Sequence, residues 1–266
     1  MTCLATQAKN RLHAVLQRHP LLPPEGNPFH ESQQAWWLTL AVGKLERLNL
    51  QSDLETLQFA QKQQDRLTSL MEEIANQNEE VTRLLLLPGF GVVTAVTVWA
   101  AIGDIQRFED AQHLVGYAGL GTRVHNSGLT TRSGRITKAG RRDLRVVLIE
   151  AAQVAANSHP HWKAELARLQ PRLGRNKAIV AIARKLLVAV WYILAQHKTD
   201  RFAQPEAIAQ KFLKFAYQLG KQNRPNGQSA AQFVRQRLDA LALGQELTYI
   251  AWGSKKPIPL PPRQTK

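Results

Sequence analysis

Twenty consecutive residues without a charge, Leu84 to Gly103, constrain the fold more than any other feature of the sequence. A segment of that length could cross a membrane as a helix. Pro88, Gly89 and Gly91 interrupt it, however, and leave two halves that are each too short to span a bilayer. The stretch therefore predicts two short buried helices joined by a tight hairpin, and it argues against a membrane partner.

The remaining patterns are mainly helical. One helix is predicted over Thr6–Gln17, before a proline-rich linker, and a long one over Glu31–Leu87 with a break near Asn49. The glycine-rich segment 119–140 is predicted to be a loop, and the tail after residue 254 to be extended and exposed. Further helices are predicted at about 141–157, 160–170, 176–197, 205–219 and 230–243, the third of them central because it is apolar on most sides.

These patterns predict a mainly α fold, with a long coiled-coil-like arm followed by a helical domain that contains a helix-hairpin-helix motif. No alternation is long enough for a strand-rich sheet. We expect four segments: a helix and proline-rich linker over 1–30, the helical arm over 31–87, a helical domain over 88–200, and a helical extension with a proline-rich tail over 201–266.

The helical arm carries a narrow apolar seam. Its first phase is Leu50, Leu54 and Leu57, and its second phase follows a polar run and comprises Leu67, Met71, Ile74, Asn78, Val81 and Leu85. Such a seam predicts antiparallel helix pairing or a coiled coil between subunits, and hence a homo-oligomer formed through residues 31–87. A long helix packed on its own domain explains the pattern equally well.

The charge is concentrated in the last two thirds of the chain. Residues 1–80 contain 7 Lys and Arg against 10 Asp and Glu, whereas residues 81–266 contain 28 against 10. This asymmetry predicts a polyanionic partner, with nucleic acid favoured. The single cysteine, Cys3, excludes a disulfide framework and a cysteine-rich zinc module, and it fits a cytoplasmic, nucleoid-associated protein.

The hairpin segment LPGFG is a candidate phosphate contact. Gly89 and Gly91 would let the backbone approach a phosphate, and the following helix would present free N–H groups to it. Contacts of this kind read the phosphate backbone rather than the base sequence. An ordinary helical hairpin without such a role is the alternative.

A basic segment between Gly119 and Arg145 is the second candidate site. Ser127 and Ser133, each followed by glycine, lie among arginines that would neutralise a phosphodiester. A serine there would either attack the phosphorus or merely donate a hydrogen bond, and spacing alone favours the second role. No metal-ligand set is predicted, and Tyr117 is predicted to be a packed aromatic. The candidate DNA-binding cations are Arg123, Arg132, Arg135, Lys138, Arg141, Arg142 and Arg145.

The order of these motifs resembles the C-terminal domain of the Piv/MooV-type DEDD transposases of bacterial insertion sequences. The matching elements lie between about residues 81 and 197: the PGFG hairpin, AIGD with a following Arg-Phe pair, GYAGL, Ser127 with its glycine, RITKAG, and ARKL. The resemblance implies DNA transposition and recombination, with Ser127 as the residue that joins covalently to DNA and Ser133 as the weaker candidate. It also implies that segment 88–200 is the family's DNA-binding, serine-bearing domain and that segment 1–30 contains a remnant of its connecting region.

The same resemblance implies partners. In that family a RuvC-like domain holds magnesium through four acidic residues, and a structured guide RNA selects the DNA. This sequence contains no match to the RuvC-like half, so we expect a truncated or frame-disrupted transposase whose activity alone is doubtful. The alternatives are a non-catalytic DNA-binding, oligomerising protein and a basic RNA-binding scaffold.

Overall fold

The computed structural model describes residues 1–19, 21–127 and 130–263, without the side chains of 123–127, 130–133 and 135. This described part contains eleven α-helices and two separate two-stranded antiparallel sheets. The predicted mainly α class is confirmed. The chain forms two compact units, Met1–Leu70 and Met71–Lys266.

The first unit is built on an antiparallel helix pair. Its helices are α1 (Thr2–Arg18), α2 (Gln34–Thr39) and α3 (Lys44–Gln77), the last of which continues into the second unit. Three contacts set the direction of the pair: Arg11 Nε to Asp53 Oδ1 at 2.6 Å, Arg18 to Glu46 Oε1 at 2.7 Å, and Gln64 Nε2 to Thr2 Oγ1 at 3.0 Å. As the residue number rises along α1, the partner's number falls along α3, so the helices are antiparallel.

Apolar burial holds this unit together. The predicted first phase of the seam is confirmed, because Leu50, Leu54 and Leu57 are buried in one cluster with the apolar face of α1. Trp37 is buried in the same cluster, and its Nε1 donates to the carbonyl of Pro28 at 2.7 Å. The seam of α3 therefore packs within its own unit here.

The predicted break near Asn49 is wrong. Helix α3 runs through this position because no proline or glycine interrupts it between residues 44 and 77. The helix predicted over Glu31–Leu87 is instead interrupted at residues 40–43, between α2 and α3, and at Asn78. The side chain of Asn78 accepts from the N–H of Val81 at 3.1 Å and caps α4 (Glu79–Leu84). Asparagine favours this N-cap position, so Asn78 is a cap and not a seam residue.

The second unit contains the remaining elements. In chain order they are α5 (Val92–Ile102), a 3-10 turn (Ile105–Arg107), α6 (Ala111–Tyr117), β1 (Thr122–Ser127), β2 (Thr130–Ile136), α7 (Arg142–Ser158), α8 (Pro160–Leu173), α9 (Arg175–Gln196), α10 (Pro205–Asn223), a 3-10 turn (Pro225–Gly227), α11 (Ala230–Ala240), β3 (Tyr249–Trp252) and β4 (Lys255–Pro259).

Helix α9 lies in the core of this unit, as predicted. It packs against α4, α6, α7 and α8, and Ile182, Leu186 and Val190 are fully buried. By length and composition alone it is the one helix among the described residues that is apolar enough to cross a membrane. Half of that apolar segment is buried inside the fold, which is also the behaviour of a core helix.

The second phase of the seam belongs to this core as well. Val81 and Leu85 are buried in it, and Met71 and Ile74 pack against it. For these four residues the alternative of a helix packed on its own domain is confirmed. Leu67, by contrast, is exposed.

Two segments predicted to lack regular structure form hairpins. The basic segment folds into β1 and β2, which pair antiparallel with Val124 opposite Ser133 and Ser127 opposite Thr130. Its β-branched residues favour strands, a preference that the glycine content obscured. The tail is not simply exposed, because β4 pairs with β3 and Leu260 is buried.

Candidate nucleic-acid interface

The turn between α4 and α5 is held against helix α7 by a glycine. Gly89 has φ +80°, and a Cβ placed on it would lie 2.1 Å from the carbonyl oxygen of Ala151. We predicted that Gly89 would approach a phosphate closely. In the structure this close approach is made to the backbone of α7. Gly91 differs: it is exposed, it caps α5, and open space surrounds its Cβ position.

A partly buried lysine also binds the end of α4 and the turn that follows it. The Nζ of Lys211 on α10 donates to the carbonyl oxygens of Leu85, at 2.9 Å, and Leu87. A cation suits these carbonyls because the C-terminal end of a helix carries partial negative charge. Burial lowers the pKa of Lys211 to about 8, and Asp200 opposes this shift. No sequence signal marks Lys211, because a single lysine in an amphipathic helix is ordinarily exposed.

The basic hairpin begins where helix α6 ends. The N–H of Leu120 donates to the carbonyl of Val115 at 3.1 Å, and the N–H of Gly119 donates to Gly116 at 2.8 Å. Gly119 has φ +67°, so the pattern is a Schellman motif, which satisfies the last carbonyls of the helix. The helix end therefore fixes the direction in which β1 leaves.

The return strand is fastened to the same helix end. The N–H groups of Thr137, Lys138 and Arg141 donate to Gly121, Gly119 and Tyr117 at 2.8, 3.1 and 2.8 Å. A Cβ on Gly140 would lie 2.2 Å from the carbonyl oxygen of Tyr117, so only glycine fits there. We call residues 117–121 and 137–141 together the hairpin clamp. It joins both ends of the basic hairpin to α6 and to the start of α7.

The predicted cations near the clamp divide into two groups. Arg141 pairs with Asp143 at 2.6 Å, and Arg145 donates to the carbonyl of Ala118 at 2.9 Å, so both brace the clamp. The hydrogen bond from Arg141 lowers the pKa of Asp143 to about 2. Lys138 and Arg142 are exposed, and their side chains form no hydrogen bond or ion pair with the described residues.

Tyr117 is packed, as predicted. Its ring lies 5.2 Å from that of Phe108, the guanidinium of Arg107 lies 4.6 Å above it, and its hydroxyl donates to the carbonyl of Ala101 at 3.2 Å. Burial raises the pKa of Tyr117, but hydrogen bonds with Arg107 and Arg141 outweigh it and lower the pKa overall.

The candidate nucleophile lies at the end of β1 that is farther from the hairpin clamp. Ser127 is the last residue of β1, and its backbone pairs with Thr130. Its side chain, and those of Arg123, Arg132 and Arg135, lie outside the described residues, as does that of Ser133. Within the described part of the chain no three His, Cys, Asp or Glu side chains meet as a metal site.

Comparison with known proteins connects this region to one family. Residues 81–167 match the sequence model of the "Transposase IS116/IS110/IS902 family". The predicted resemblance to this transposase lineage is therefore confirmed for that part of the chain. The matched segment includes the α4–α5 turn, the hairpin clamp and helix α7.

Named relatives agree with the family match. The chain is 31% identical to the "Transposase for insertion sequence element IS1111A" of Coxiella burnetii over 202 residues, which are 72% of this chain and 55% of that protein. It is 33% identical to the "Pilin gene-inverting protein" of Moraxella bovis over 46% of this chain and 38% of that protein. A "Probable family 20 transposase" of Pseudomonas aeruginosa is 29% identical over 62% and 48% respectively. The chain thus spans about half the length, or less, of these relatives.

Proposed function

We propose that this chain acts in DNA transposition or recombination, as the DNA-binding, serine-bearing half of an insertion-sequence recombinase. The observation that carries the proposal is the hairpin clamp. It fastens both ends of a basic hairpin to two core helices, within the segment that matches the transposase family. A reactive loop needs such a fixed base, because small misplacements of a reacting atom are costly.

The charge around the clamp supports DNA as the ligand. Arg123, Arg132 and Arg135 lie on the hairpin strands, and the exposed Lys138 and Arg142 lie at its base. Cations grouped in this way neutralise successive phosphates and position a duplex without reading its sequence. Gly91 at the exposed start of α5 adds a backbone contact of the same kind.

We propose Ser127 as the nucleophile. Its hydroxyl oxygen would attack a DNA phosphorus and form a phosphoserine ester, while a base accepts the serine proton. The bond from that phosphorus to one of its two sugar oxygens would break, and the released strand end would take up a proton as a free hydroxyl. The arginines of the hairpin would stabilise the negative charge that develops on the phosphate. In this proposal a separate RuvC-like acidic domain holds magnesium, and a structured guide RNA selects the DNA.

The test is a covalent adduct assay with element-end DNA and a supplied RuvC-like partner and guide RNA. Ser127→Ala should abolish the protein–DNA adduct and leave DNA affinity nearly unchanged, because it removes the attacking oxygen only. Ser133→Ala and Tyr117→Phe are the controls and should retain the adduct. If Ser127 only binds phosphate, its alanine variant keeps the chemistry and loses about 1 kcal/mol of affinity. That result would assign the nucleophile to another residue, whereas a parent chain that binds DNA or RNA and forms no adduct would support the non-catalytic alternative.

We also propose that the chain self-associates through α3. Phe59, Leu67 and Leu70 are 53, 46 and 52% exposed on this helix, whereas the three leucines of its first seam phase are buried. Exposed large apolar residues on one long helix are typical of a helix–helix interface. Replacing Leu67 and Leu70 with lysine should convert an oligomer into a monomer in sedimentation velocity. Ser69→Lys is the control, because this exposed position is next to Leu70 in sequence but lies about 100° around the helix from it. A monomeric parent at micromolar concentration would contradict this proposal.

A further inference from the structure

A groove in the second unit lies outside the family's matched hairpin and clamp. It has a volume of about 800 Å³ and is bounded by the first turn of α8, one face of α9 and the segment 198–202. That volume is in the range of small-ligand sites. Its lining is unusual in combining aromatic rings with several cations and a single carboxylate, that of Asp200.

The aromatic surfaces are arranged as stacking faces. The rings of His161 and Phe202 stack with centroids 3.5 Å apart and planes at 15°. Tyr192 lies on the α9 side and is 42% exposed, so its ring is accessible from solvent. Exposed aromatic rings provide platforms on which unpaired bases stack regardless of sequence.

The cations of the groove are positioned to meet a phosphate backbone. Lys198 Nζ lies 5.5 Å from the centre of the Tyr192 ring, and the guanidinium of Arg201 lies 4.5 Å from that of Phe202. Neither forms an ion pair within the described part of the chain. Lys185, by contrast, is already paired with Glu165. The rings of Tyr192 and Phe202 therefore each have an adjacent cation that forms no ion pair within the described part of the chain.

Two residues that line the groove contain polar atoms without a partner. Trp162 is 4% exposed, and its Nε1 donor has no hydrogen-bond partner among the described residues. The Oδ2 acceptor of Asp200 is also without a partner there. Both atoms are closed off from solvent, and buried donors and acceptors are nearly always satisfied, so a side-chain shift on binding would offer one donor and one acceptor to a ligand. A nucleobase edge carries both kinds of group.

We propose that this groove binds an unpaired base of single-stranded nucleic acid, stacked on Tyr192, with the flanking phosphates on Lys198 and Arg201. The inference rests on the proposed function, because a recombinase handles strands that are separated from their complements. It adds a second nucleic-acid surface to the duplex surface at the hairpin clamp.

The experiment measures fluorescence anisotropy of the full chain with three labelled ten-nucleotide probes: oligothymidylate, oligouridylate and an abasic DNA strand. Tyr192→Ala should weaken binding of the base-containing strands by about five- to 150-fold, the range expected when one base loses its stacking partner, and leave the abasic strand unaffected. Lys198→Ala with Arg201→Ala should weaken all three probes. Comparing the thymidylate and uridylate strands tells whether DNA or RNA is the preferred source of the base.

Two controls separate this surface from general effects. Tyr249→Ala removes another exposed tyrosine outside the groove, and Lys163→Ala with Arg172→Ala removes two exposed cations of α8 that do not line it. Both should bind like the parent, and thermal melting confirms that each variant is folded. Equal losses in Tyr192→Ala and Tyr249→Ala, or a loss that extends to the abasic strand, would overturn the inference. A labelled DNA duplex is titrated in parallel. If the parent binds the duplex but the groove variants show no such effect, the groove proposal is wrong and the proposed function stands; if the parent binds neither the duplex nor the single strands, the proposed function fails.

Discussion

Replacing Gly89 with alanine tests whether this glycine serves the fold or a phosphate. In the structure a Cβ at this position would lie 2.1 Å from the carbonyl oxygen of Ala151, a residue that is itself only 2% exposed. The left-handed φ of +80° costs a residue with a Cβ about 1–2 kcal/mol. The turn would also have to withdraw from α7 by roughly 1 Å, and overpacking of this kind costs about 1–3 kcal/mol.

Together these effects predict that Gly89→Ala lowers the free energy of unfolding by about 2–5 kcal/mol. Urea denaturation followed by circular dichroism measures this loss. Gly91→Ala is the matched control, because Gly91 lies two residues away, has φ −95° and has no atom within 4 Å of its Cβ position. It should cost less than about 1 kcal/mol, the amount expected for alanine at an N-cap. Equal stability losses in the two variants would refute the packing argument, and so would a parent-like Gly89→Ala.

Single side-chain contacts and charges give three further predictions. Burial lowers the pKa of Lys211 to about 8, so between pH 8 and the ordinary value of 10.5 the unfolded chain binds more protons than the folded one. The free energy of unfolding therefore rises with pH, by about 2 kcal/mol from pH 8 to 10. Urea denaturation should show that this rise is absent in Lys211→Met. Ser229→Ala removes the capping box of α11 and should cost about 1 kcal/mol in the same assay, whereas Ser254→Ala at an exposed turn should cost nothing measurable. The double variant Arg135→Ala with Arg142→Ala should weaken duplex binding equally for all sequences. It should also reduce the slope of log affinity against log salt concentration by about 0.9 for each phosphate that it no longer neutralises. Titration at several salt concentrations measures both effects.

Local patterns predicted most of the helices. The apolar periodicity of α9 and its central position follow directly from Ile182, Leu186 and Val190, because a helix that is apolar on most sides has to be buried. Pro88, Gly89 and Gly91 likewise located the turn between two short helices. In these cases the neighbouring residues decide the structure, so a sequence pattern is sufficient.

Features that depend on distant residues were not predicted. The pairing of α1 with α3 rests on contacts such as Arg11 with Asp53, which are 42 positions apart. Lys211 contacts carbonyls more than 120 residues earlier, and nothing near it in the sequence indicates burial. The groove at Tyr192 was also missed, because its aromatic and basic residues come from three separate segments.

The glycines of the family motif allow close backbone packing rather than loop flexibility. Their abundance in the basic segment predicted a flexible loop that would adapt its conformation to bind a phosphate. Gly119 and Gly140 instead remove the side-chain atoms that would keep α6, the returning strand and α7 apart, so they allow backbone hydrogen bonds that hold the hairpin in one orientation. A fixed base has a chemical consequence. The hairpin loses its orientational freedom during folding rather than when DNA binds. Less of the DNA-binding free energy is then needed to order the hairpin, and more of it can lower the barrier of a reaction at a nucleophile on the hairpin.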